Sequence, residues 1–176
     1  MGAGVFWGMK KIFLCLSLLA TVGGFGQAPA ARLDTGLVRF FCGRWKGEGK
    51  FANGRPIAAG VSFRLELDSA WLVCEHRDEK PNVYGATLYW GLDRGTGEFV
   101  AEAFDNFGGH RVFGSSGWSG GRLELKRQAE APGVGKYYER FVYERVGADS
   151  FRMRYETSRD GSAWMMGDEL VFVRVR

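Results

Sequence analysis

Residues 43–49 read GRWKGEG. Gly43, Trp45, Gly47 and Gly49 are spaced by two, so on an extended strand all four share one face. Glycine permits the sharp bend with which the first strand of a closed barrel crosses its floor. A tryptophan two residues later can plug that closed end. The stretch is therefore read as architecture first. Gly43, Trp45 and Gly47 form a barrel-floor motif, and the missing side chains leave room for neighbours or for a cavity.

The rest of the chain fits such a barrel. VSFRLELD at 61–68 alternates cleanly, with Val61, Phe63, Leu65 and Leu67 on one face and polar residues on the other. WLVCEHRDE, YGATLYWGLD, EFVAEAFD, HRVFGSSGW, RLELKRQ, KYYERFVYERV, FRMRYETS and DELVFVRVR follow, most of them separated by turns rich in Gly, Asp or Asn. The 27 glycines and 15% aromatics suit hairpins of this kind. No helical pattern lies between the strands, so the crossovers of a parallel sheet are missing. The expected fold is all-β: a closed antiparallel up-and-down β-barrel of about ten strands. Closure removes the exposed edges. RLDTGLVRFFCG at 32–43 predicts a short helix at one end.

The N-terminus reads as a targeting segment. Lys10 and Lys11 precede an apolar run from Ile12 to Val22, about half the length of a membrane span, and small residues follow. Residues 1–30 are expected to be a signal peptide, cleaved after Gly26 or Ala30, and residues 31–176 a single barrel domain. The chain is then exported, periplasmic or secreted, with no stable membrane anchor. Beyond residue 30 it carries 22 basic and 20 acidic residues, which interleave along the strands. That balance gives no footprint for nucleic acid. Cys42 and Cys74 are candidates for a disulfide in an oxidising compartment; two buried free thiols are the alternative.

Gly-x-Trp on the first strand resembles the calycin superfamily of lipocalins, fatty-acid-binding proteins and nitrobindins. The longer stretches GRWKGEG, WLVCEHRDE (71–79), YWGLDRGTGEFVAEAFDNFGGH (89–110) and DSFRMRYETSRDGSAW (149–164) are similar, in order, to the nitrobindin side of that group. They resemble most its exported bacterial relatives of unknown function. The likeness runs over about residues 37–175 and implies a lipocalin-like barrel. A nitrobindin-type haem site needs a histidine near the start of the last strand. That region here reads MMGDELVFVRVR (165–176), so haem is not expected and no other cofactor is predicted.

Candidate site residues come from polar positions on apolar faces. Strand alternation puts Glu75 and Arg77 with Trp71 and Val73, Asp105 with Phe99, Ala101 and Ala103, and Arg140 between Tyr138 and Val142. His110 follows Asp105 across the turn NFGG. If these faces look inward, Glu75, Arg77, Asp105, His110 and Arg140 make a polar cluster able to meet a ligand head group. Cys74 and His76 are two apart with no second ligand pair, so no metal site is expected. The leading function is binding of a small, largely apolar ligand in the barrel. The alternatives are a cavity isomerase or hydrolase using Asp105 and His110, and a structural or partner-binding envelope protein with a filled barrel.

Overall fold

A computed structural model describes Met1 and residues 32–176. The expected signal peptide, residues 1–30, lies outside the described residues apart from Met1. Helix α1 (Thr35–Phe41) leads into ten strands: β1 (Gly43–Phe51), β2 (Pro56–Glu66), β3 (Trp71–Asp78), β4 (Gly85–Leu92), β5 (Phe99–Asp105), β6 (His110–Ser115), β7 (Arg122–Ala131), β8 (Gly135–Gly147), β9 (Ser150–Ser158) and β10 (Met165–Arg174). Consecutive strands pair antiparallel, and β1 pairs with β10 to close the barrel. The seam between β6 and β7 is the loosest, with the single register pair Gly114–Lys126.

Most of the alternation seen in the sequence becomes the wall, but on β2 it stops short: Leu65 is exposed, and Leu67, expected on the same face, stands 68% exposed in the following turn at φ +51°. Ile57, Ala59, Val61 and Phe63 on β2 are buried, as are Phe99, Ala101 and Ala103 on β5. Asp93 and Asp105 hold their hairpin turns by accepting backbone N–H bonds, from Gly95 and Thr96 and from Phe107 and Gly109.

GRWKGEG builds the closed end. The carboxylate of Asp34 accepts from Leu37 N and caps α1, whose Leu37, Phe40 and Phe41 are buried. Gly43 turns the chain at φ +124°, a conformation that favours glycine. Trp45, 1% exposed, donates its indole N–H to the Phe41 carbonyl at 2.8 Å. The Arg174 guanidinium lies 4.0 Å from the centre of the Trp45 ring system. It also donates to the carbonyls of Phe40 and Cys42, tying the last strand to the end of the helix. The Phe172 ring occupies the space left by Gly47, and the β10 backbone at Glu169 occupies the space left by Gly49. The glycines therefore serve close packing of β10 on β1.

Candidate functional site

The opposite end is open. A cavity of about 520 Å³ runs inward from a mouth formed by the β1–β2, β3–β4 and β5–β6 connections. Phe51, Arg55, Pro81, Val83 and Phe107 stand at the mouth, while Val61, Leu88, Phe151, Met153, Leu170 and Phe172 line the apolar walls. The volume lies in the range of small-molecule sites.

Two polar groups interrupt the apolar wall. The first comes from β3 and β10. His76 Nε2 is 2.8 Å from Asp78 Oδ1, and the Asp78 side chain is 3% exposed. Asp168 lines the cavity beside them, and its Oδ1, closed off from solvent, has no hydrogen-bond partner among the described residues. Burial pushes the Asp168 carboxyl from the ordinary 3.8 to about 6; His76 opposes the rise and Asp78 adds to it. A bulge places this carboxylate. The β10–β9 register shifts between Met166 and Asp168. Gly167 takes up the shift and accepts from Ala52 N across the β1–β2 turn. Asp168 thereby joins Leu170 and Phe172 on the cavity wall.

The second group lies across the barrel. Arg111 donates to the Tyr84 hydroxyl at 2.8 Å and to Asp105 Oδ2 at 3.3 Å. Glu139, 2% exposed, accepts from Tyr155 at 2.6 Å and pairs with Arg127. Arg111 Nη1 stands 3.9 Å from Glu139 Oε2. Two guanidinium groups thus face two carboxylates, and this side of the interior is neutral as built. Burial raises the Tyr84 and Tyr155 hydroxyls, and the Glu139 carboxylate raises Tyr155 further.

The structure redistributes the residues expected from the sequence. Asp105 does face inward and holds Arg111, while Glu75, Arg77, His110 and Arg140 lie on the outside of the barrel. On β3 the cavity face carries Cys74, His76 and Asp78. Glu75 sits outside, 3.0 Å from Arg64, and Arg77 donates to the carbonyls of His76 and Ala86. On β8 the inward residues are Glu139, Phe141 and Tyr143. Arg140 pairs outside with Glu156 and Glu124 and lies 4.0 Å from the centre of the Trp164 ring system. The His110 side chain is 52% exposed, stacks on Phe104 and reaches Glu102 at 3.2 Å. Asp105 and His110 therefore stand on opposite sides of the wall, and the acid–base pair expected across NFGG is not assembled.

Cys42 and Cys74 are free thiols in this structure, so the candidate disulfide is not formed. Cys74 is buried at the cavity wall, and burial pushes its thiol well up. Among the described residues, no three His, Cys, Asp or Glu side chains converge closely enough to hold a metal ion. The sequence reading weighed His76 only as a partner of Cys74 for a metal, and missed Asp78, Asp168, Arg111, Glu139 and the floor residue Arg174. Gly167, a glycine inside a strand, is the one sequence signal that pointed toward Asp168.

No family model and no curated protein matches the sequence. Among solved structures the chain is similar to Rv2717c from M. tuberculosis. The two are 16% identical with a TM-score of 0.55, and the match covers 82% of this chain and 99% of that one. At that identity the likeness shows the fold alone, a closed antiparallel barrel, and nothing of the chemistry.

Proposed function

We propose that this protein binds a small, largely apolar molecule non-covalently inside the barrel, and that it does so after export. We also place it with the exported nitrobindin-side relatives within the calycin group, on the ordered motifs of residues 43–164. One observation carries the binding reading. A cavity of about 520 Å³ reaches solvent, has mostly apolar walls, and carries the Asp168 carboxylate among its lining groups. A filled structural barrel has no use for such a space, since close packing stabilises a core. An unpaired buried carboxylate costs stability unless something meets it. Export rests on the basic–apolar–small pattern of residues 10–30.

The test is uptake of a neutral apolar dye, Nile red, by the wild type and by Ala86→Trp. Ala86 lines the cavity and is 2% exposed, so a large ring there fills space that a ligand would use. The wild type is expected to bind the dye with one-to-one stoichiometry, and the folded variant to bind it at least about tenfold more weakly. Equal uptake by both proteins places the dye elsewhere and removes the cavity reading.

A further inference from the structure

We propose that the cavity selects an organic cation: an amine head group on an apolar body, seated on Asp168 between the rings of Phe51 and Tyr155. This rests on the binding reading above and narrows it to one chemical class.

Three observations carry it. The first is charge. The Arg111–Asp105 and Arg127–Glu139 contacts balance one another, so the guanidinium side of the interior has no charge to spare for a ligand. On the other side, His76 has one carboxylate partner, Asp78, and Asp168 remains. Even with His76 protonated, one negative charge is left uncompensated. Arg55, the remaining charged lining residue, is exposed at the mouth with its guanidinium 5.5 Å from the centre of the Phe51 ring; water screens it there, and a ligand ammonium on that ring takes its place.

The second is geometry. Asp168 is the cross-strand partner of Phe51 on β1 and of Tyr155 on β9, and all three line the cavity. A carboxylate flanked by aromatic rings suits an ammonium group, which meets the charge directly and the rings through their negative faces. The third lies deeper. Tyr143 is 6% exposed and lines the cavity. A polar group further along the ligand can meet its hydroxyl. A fatty acid would instead bring a third carboxylate beside Asp168 and Asp78, which like-charge repulsion disfavours.

The experiment is displacement of Nile red by three probes of equal chain length, dodecylamine, dodecan-1-ol and dodecanoate, at about pH 7.5, where Asp168 is ionised. Dodecylamine is expected to displace the dye at least about tenfold more effectively than the alcohol or the carboxylate. In Asp168→Asn, with each probe referred to that variant's own dye affinity, the amine and the alcohol are expected to come within about threefold of each other. The wild-type ratios decide the matter even if that variant folds poorly. Dye uptake without amine preference, or a preference unchanged in Asp168→Asn, overturns the cation assignment and leaves the binding reading standing. Failure to take up dye and amine alike overturns both.

Discussion

Replacing Asp168 with Asn keeps the size of the side chain and removes its charge. Burial disfavours the Asp168 anion and pushes its carboxyl from the ordinary 3.8 up to about 6. The folded state therefore holds this proton more tightly than the unfolded chain. Its contribution to stability is fully present below about pH 4 and is lost as pH rises through about 6. Each pH unit of that gap is worth about 1.4 kcal/mol. The full effect comes to about 3 kcal/mol, reduced to about 2–3 because Asp168 is not wholly buried. Asp168→Asn should match the wild type at about pH 4 and exceed it by about 2–3 kcal/mol at about pH 8. Urea unfolding midpoints, taken across that range on ligand-free protein, give the difference directly. His76 and Asp78 face the same space and act on Asp168, so the difference curve reports Asp168 together with its coupling to them. Parallel pH curves for the two proteins, or a less stable variant at high pH, would refute the placement of this carboxylate. A side chain that destabilises the empty protein is what a binding site kept at some expense of stability looks like.

Other perturbations follow from the same geometry. Trp45→Ala removes the floor of the closed end, together with its bond to the Phe41 carbonyl and its contact with Arg174; thermal or urea unfolding should show a loss of about 3–5 kcal/mol. Gly49→Ala drives a methyl group into the β10 backbone at Glu169, which has no room to yield, and should cost about 2 kcal/mol or more. Gly60→Ala, with nothing within 4 Å and no left-handed φ, should be neutral or stabilising by up to about 1 kcal/mol in the same assay. Glu139→Gln leaves Arg127 and Arg111 short of a carboxylate in the interior, and a loss of about 3 kcal/mol is expected by urea titration.

The barrel was legible because its signals are local. Turn residues, period-two alternation and the spacing of Gly43 and Trp45 each act within a few residues, and each survived into the fold. The inner face of β5, including Asp105, was legible for the same reason. The site was harder because the outside of this barrel is partly apolar and its inside partly charged. Val73 is 1% exposed although it faces outward, where its register neighbours are Arg64 and Tyr89. Trp71 lies over Gly91 on that same outer face. Val142 is fully buried between Glu124 and Arg154 in the register, beneath a canopy of ion pairs. Apolar residues at these positions drew the inferred faces of β3 and β8 outward by one residue, and that slip exchanged Glu75 and Arg77 for His76 and Asp78, and Arg140 for Glu139. Asp168 depends on a bulge, which simple alternation does not register.

The most direct test of a ligand-holding barrel is native mass spectrometry of the protein purified from its own host, followed by organic extraction of what travels with it. A stoichiometric small-molecule adduct that Ala86→Trp no longer carries is the predicted result. An unadorned protein mass, with no Nile red uptake by the same preparation, would contradict it.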